Sequence, residues 1–112
     1  MEPYSIKKVT DKDGNVLYER SAPTKARQVV ARSDVAQVTA MMQSVIQNGT
    51  GRGAAIPYQA AGKTGTSQDF RDAWFIGFTN KYAAAIWFGN DDNSPTKRLT
   101  GGSAPAQVWK EV

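Results

Sequence analysis

The chain has 112 residues, forty per cent of them hydrophobic, with three Trp, four Tyr and four Phe, enough for one small domain with its own core. It contains no cysteine and no histidine, which excludes disulfides, thiolate or imidazole metal sites, and any Ser-His-Asp or Cys-His mechanism. Fourteen basic and ten acidic residues give a formal charge of +4, yet no basic run interleaved with aromatics marks a nucleic-acid surface, and neither a membrane span nor a targeting segment at Met1 is visible.

Residues 4–20 predict a β-hairpin. Tyr4-Ser5-Ile6-Lys7-Lys8-Val9-Thr10 and Asn15-Val16-Leu17-Tyr18-Glu19-Arg20 flank the turn Asp11-Lys12-Asp13-Gly14, and the Asp-Gly pair supplies the positive φ such turns need. Residues 21–32, with Pro23, Lys25, Arg27 and Arg32, read as a connector carrying a short extended piece at Gln28-Val29-Val30. A helix is expected over 33–48. Ser33 is its N-cap, Asp34 sits in the favourable first turn, and Gly49 follows as a left-handed C-terminal cap. Val35, Val38, Met41, Met42, Val45 and Ile46 fall at helical spacing and form one apolar packing stripe.

Beyond the glycine-rich loop Gly49-Thr50-Gly51-Arg52-Gly53, closed by Ile56-Pro57, three strands are expected at 59–66, 72–79 and 82–89. Ser67-Gln68-Asp69-Phe70-Arg71 turns the chain between the first two, and Asn80-Lys81 is a two-residue hairpin connection between the others. They make an antiparallel meander. The near-continuous apolar character of the last two implies burial on both faces, so the helix covers one face and something else must cover the other. Trp74, Phe75, Trp87 and Phe88 read as core. Asn90-Asp91-Asp92-Asn93-Ser94-Pro95 is a solvated turn whose spacing does not match a calcium loop. Ser103 is the expected N-cap of a last helix over 103–112, with Pro105 tolerated in its first turn.

The chemistry concentrates in Ala60-Ala61-Gly62-Lys63-Thr64-Gly65-Thr66-Ser67. In an extended chain Thr64 and Thr66 share one face while Lys63 and Gly65 share the other. Two hydroxyls roughly 7 Å apart, backed by a cation, suit an anionic group such as a carboxylate. Gly62-Lys63-Thr64 also invites a phosphate-loop reading. That motif needs a glycine five positions before the Gly-Lys pair, where Pro57 stands, and a helix directly after it.

Lys63-Thr64-Gly65 is one of three motifs shared by penicillin-binding proteins and class A β-lactamases. With Ala61-Gly62 before it, Asp72-Ala73-Trp74-Phe75-Ile76-Gly77-Phe78-Thr79 after it, and Trp87-Phe88-Gly89-Asn90-Asp91-Asp92 further on, the chain resembles the C-terminal part of the transpeptidase domain of a class A (bifunctional) penicillin-binding protein. The helix ending in Asn48-Gly49-Thr50-Gly51, the hairpin and the Gly101-Gly102-Ser103 helix are similar too.

The resemblance implies an α+β fold, a fragment of the penicillin-binding transpeptidase and serine β-lactamase-like fold, in which the meander and hairpin pack against helices. It implies a serine D,D-transpeptidase that cross-links stem peptides ending in D-Ala-D-Ala, binds β-lactams and needs no cofactor or metal. Thr64, Gly65, Thr66 and Ser67 would bind substrate, and Thr66 would lend its backbone N–H to the oxyanion hole. Lys63 would point inward and set the electrostatics around the serine of the family's Ser-x-Asn motif. It also implies work on the extracytoplasmic face of the bacterial inner membrane, with attachment through sequence outside this chain.

The other two motifs are absent. Ser5-Ile6-Lys7-Lys8 and Ser94-Pro95-Thr96-Lys97 match Ser-x-x-Lys only in spacing, and no Ser-x-Asn occurs. The nucleophile is therefore expected on the remainder of the domain, and this fragment alone is expected to be inactive. A non-catalytic interaction module and a phosphate-loop nucleotide binder stand as alternatives.

Overall fold

The computed structural model describes residues 4–21 and 28–112. The chain divides into two compact units, 1–31 and 32–112. Pro23, Lys25 and Arg27 of the expected connector lie outside the described residues.

In the first unit, β1 (Lys8–Thr10) pairs antiparallel with β2 (Val16–Glu19), shorter strands than the pattern predicts. One register shift at Val9/Thr10 lets the turn fit. Gly14 has φ 86°, the value that the Asp-Gly reading requires. The Asp11 carboxylate organises the turn. Its Oδ1 accepts from the backbone N–H of Asp13 (2.9 Å) and Asn15 (2.8 Å), and its Oδ2 from Asn15 Nδ2 (2.8 Å).

Those bonds, led by the Asn15 side chain, hold the Asp11 carboxyl below its ordinary value of 3.8. A depressed folded value means that the carboxylate supports the turn above the ordinary range and ceases to do so as pH falls through and below it. Cross-strand NMR contacts between Lys8 and Glu19 should accordingly fade below about pH 4. An Asp11→Asn variant should be weaker at neutral pH and lose that step.

The second unit starts with α1 (Arg32–Gln47). The helix begins one residue before the expected cap, so Ser33 lies in its first turn and bonds the Asp34 side chain (3.2 Å). The expected left-handed cap at Gly49 is not formed. Gly14 alone among the described glycines has positive φ. Gly49 instead lies against the helix's last turn, where an added Cβ would meet the Val45 backbone at 3.0 Å. Its N–H reaches the Ser44 and Val45 carbonyls (3.1 and 3.2 Å). Only the lower end of the apolar stripe packs. Ile46 is buried, whereas Val35, Val38 and Met41 are exposed, because α1 meets the sheet through its contacts with β3. Gln28-Val29-Val30 forms no strand.

Three strands follow: β3 (Ala61–Thr66), β4 (Asp72–Phe78) and β5 (Ala83–Gly89), an antiparallel meander in the order β3-β4-β5. The turn through Asn80-Lys81 is closed by Thr79 N–H on the Tyr82 carbonyl (2.8 Å). Along β4, burial alternates strictly: Ala73, Phe75 and Gly77 are buried, while Trp74 and Ile76 are exposed. On the buried face Phe75 meets Trp109 of α2 (Ala104–Glu111) edge to face, with centroids 5.4 Å apart. Gly77 makes room for the Trp109 ring, whose Nε1 donates to the Gly77 carbonyl (3.3 Å). Ile46, Ala54, Ala60 and Ala106 complete this core.

The other face carries Trp74 (40 % exposed), Ile76 (50 %) and Trp87 (44 %), with Trp74 directly opposite Trp87. Burial of both faces, as the apolar run predicts, is thus not achieved among the described residues. Trp74 and Trp87 leave the expected core because the period of two puts them on the face opposite their more buried neighbours, Ala73 and Phe75 for Trp74 and the half-buried Ile86 and Phe88 for Trp87. At α2, Ser103 precedes the helix but does not cap it. Its hydroxyl turns back, donating to the Thr100 carbonyl (2.7 Å) and accepting from the Thr100 N–H (3.1 Å).

Candidate active-site strand

β3 is an edge strand, and the register decides what its edge presents. Ser67 N–H donates to the Asp72 carbonyl (3.0 Å). Antiparallel pairs alternate between bonded and non-bonded positions. Continuing back from Ser67–Asp72, the bonded pairs are Gly65–Trp74 and Lys63–Ile76, and the non-bonded ones are Thr66–Ala73 and Thr64–Phe75. The backbone N–H and C=O of Thr64 and Thr66 therefore point away from β4, to the unpaired edge.

Side chains divide as expected from the alternation. Thr64 and Thr66 lie on the helix-covered face, opposite Phe75 and Ala73; Lys63 and Gly65 lie on the open face, opposite Ile76 and Trp74. Lys63 is exposed, and its Nζ donates to the Thr64 carbonyl (2.8 Å), so its charge sits at the same edge. The Lys63-Thr64 pair lies mid-strand, and the strand rather than a helix continues directly after it to Thr66, so no phosphate loop is formed.

Two supports escaped sequence reasoning. Thr50, in the loop after α1, shares a hydrogen bond with Thr64 between the two Oγ1 atoms (2.7 Å). The Gly101 N–H donates to Thr66 Oγ1 (3.1 Å). Each arrangement leaves a hydroxyl proton uncommitted. Thr66 has accepted one bond and keeps its own donor, while the Thr50–Thr64 pair uses one of two protons. Such donors, with the edge N–H of Thr66 and the Lys63 ammonium, can hold a carboxylate or a developing oxyanion.

Gly101 and Gly102 can approach this closely because they lack side chains. A Cβ on Gly101 would strike the Trp74 carbonyl and lie 2.7 and 2.8 Å from the Gly65 oxygen and nitrogen. A Cβ on Gly102 would strike the Thr50 carbonyl. The sequence signal was the glycine pair itself, legible as the lead into the expected Ser103 cap but not as a contact 35 residues away.

Ser67 is differently engaged. Its Oγ donates to Asp72 Oδ2 (3.0 Å) and accepts from the Asp72 N–H (2.8 Å). After it, Asp69 and Phe70 both take φ 56°, a left-handed pair held by Thr96, whose N–H (3.0 Å) and hydroxyl (2.6 Å) donate to the Phe70 carbonyl. The two chance Ser-x-x-Lys matches are not helical: Ser5 lies in the bend before β1, and Ser94 in the loop after β5.

No helix among the described residues is long and apolar enough to cross a membrane. The whole chain, residues 1–112, matches the family described as penicillin binding protein transpeptidase domain. It is 36 % identical over 110 residues to penicillin-binding protein 1B of Haemophilus influenzae and 41 % identical over 110 residues to that of Vibrio cholerae. Each match covers 96 % of this chain and 14 % of the relative, so the chain spans about a seventh of their length. Among solved structures, it is similar to the D,D-transpeptidase domain of a peptidoglycan glycosyltransferase from Eggerthella lenta, with TM-score 0.61 and 30 % identity over 93 % of this chain and 24 % of that one. The two antiparallel sheets and flanking helices are therefore those of a D,D-transpeptidase fold, and the chain belongs to the penicillin-binding protein transpeptidase domain family.

Proposed function

We propose that this chain is the C-terminal portion of a peptidoglycan D,D-transpeptidase domain and forms one wall of its active site. The observation that carries this reading is the unpaired edge of β3. There the hydroxyls of Thr64 and Thr66, each braced by a second group, meet the outward N–H of Thr66 and the Lys63 ammonium. Thr64 and Thr66 bind the terminal carboxylate of a stem peptide ending in D-Ala-D-Ala. A serine from the rest of the domain attacks the penultimate carbonyl, and the Thr66 N–H stabilises the oxyanion. D-Ala leaves with a proton, and the acyl group passes to an amine of another stem. β-Lactams acylate the same serine. Lys63 sets the electrostatics around a second serine, that of the Ser-x-Asn motif on the rest of the domain.

The exposed Trp74, Ile76 and Trp87 give the remainder of the domain an apolar face to cover. Gly65 fits this reading: an added Cβ would meet nothing nearer than Trp74 Cβ at 3.3 Å, so its small size serves an approach from outside this chain. The protein acts on the outer face of the cytoplasmic membrane, anchored by sequence outside these residues. Fluorescent penicillin tests the assignment. The longer transpeptidase should be labelled covalently and the 112-residue chain should not; attachment to this polypeptide alone contradicts the division of labour.

A further inference from the structure

Just beyond the end of β3, Ser67 is clamped by groups from β4 and β5. Three bonds join Ser67 to Asp72: backbone to backbone (3.0 Å), Ser67 Oγ to Asp72 Oδ2 (3.0 Å) and Asp72 N–H to Ser67 Oγ (2.8 Å). The second carboxylate oxygen, Oδ1, accepts from Trp87 Nε1 on β5 (2.9 Å). Both oxygens of one side chain thus tie the first residue after β3 to the far strand of the sheet.

The clamp sits where the chain most needs one. Asp69 and Phe70, immediately beyond, are held at φ 56°, a conformation costly for a bulky aromatic. The turn is held at its far end by Thr96 on the Phe70 carbonyl and at its near end by this clamp. The Thr66 N–H belongs to the Gly65–Thr66 peptide, which is held on one side by the Gly65–Trp74 pair and on the other by this clamp.

We propose that Asp72 is a positioning residue: acting through Ser67 and anchored by Trp87, it fixes the direction of the Thr66 N–H toward the oxyanion. This rests on the function proposed above and adds to it, since Ser67 then serves the reaction without touching substrate. The carboxylate-binding hydroxyls are braced separately by Thr50 and Gly101. Loss of the clamp should consequently slow chemistry and leave binding nearly intact.

The test separates the two constants of penicillin acylation in the longer transpeptidase carrying this chain. Ser67→Ala and Asp72→Ala should each lower the acylation rate constant by about tenfold or more. The dissociation constant of the non-covalent complex should stay within about threefold, because the contacts that set it remain. Ser67→Thr should restore the rate, Trp87→Phe should give a smaller loss, and the double variant should be no slower than either single, as expected of one unit. Should Asp72→Ala fail to fold, Ser67→Ala and Trp87→Phe carry the test. Unchanged acylation rates, or parallel loss of rate and affinity, overturn the inference while the parent enzyme still labels. A parent that is never acylated overturns the proposed function and this inference with it.

Discussion

Replacing Thr64 and Thr66 together by valine in the longer transpeptidase should lower the second-order rate of penicillin acylation by about 10²–10³-fold. A hydrogen bond to a charged group contributes about 1.5–3 kcal/mol, and two that share one carboxylate add incompletely. About 3–4 kcal/mol lost from the transition state gives that range. Valine keeps the branched shape on the helix-covered face, so the loss reads the hydroxyls. Thr64→Ser and Thr66→Ser should retain most of the rate. Thr66→Val also deprives the Gly101 N–H of its acceptor, and of the two single variants it should be the less stable.

The second large effect falls on stability. Gly101→Ala puts a methyl group against the Trp74 carbonyl and within 2.8 Å of Gly65 backbone atoms. Backbone in a paired strand cannot turn aside as a flexible side chain can. Overpacking of this kind costs about 1–3 kcal/mol, and the upper end applies here. For a unit of this size that lowers the melting temperature by roughly 10–20 °C. Gly65→Ala is the contrast, with only Trp74 Cβ at 3.3 Å to yield; its melting temperature should move by no more than a few degrees. Circular dichroism of the two variants distinguishes them directly, and an equal effect would remove the argument that the Gly101 loop is wedged onto the sheet.

How much of this was legible in the residues depends on the range of the interaction. The hairpin turn, the meander and the opposed faces of β3 follow from local rules, a positive φ at Gly14 and a side-chain period of two. Trp74 and Trp87 read as core yet lie exposed in this chain, because a continuous apolar run does not say whether the cover of its second face lies on the same segment. The same applies to α1, where Val35, Val38 and Met41 keep helical spacing yet remain exposed. The bracing of Thr64 by Thr50 and of Thr66 by Gly101 joins distant segments, and nothing in the sequence near either threonine announces its partner. The resemblance groups Ser67 with its neighbours, and what the residues alone do not announce is that its hydroxyl both donates to and accepts from Asp72.

The central claim is that the edge of β3 recognises a carboxylate through Thr64 and Thr66. Its most direct test compares acylation by penicillin and by penicillin methyl ester, in the parent transpeptidase and in its Thr64→Val, Thr66→Val variant. The ester keeps the reactive ring and removes the charge. The parent should prefer the free acid by about 10²-fold, and the variant should discriminate by no more than a few fold, since the groups that sense the charge are gone. An equal preference for the acid in both enzymes would contradict the claim.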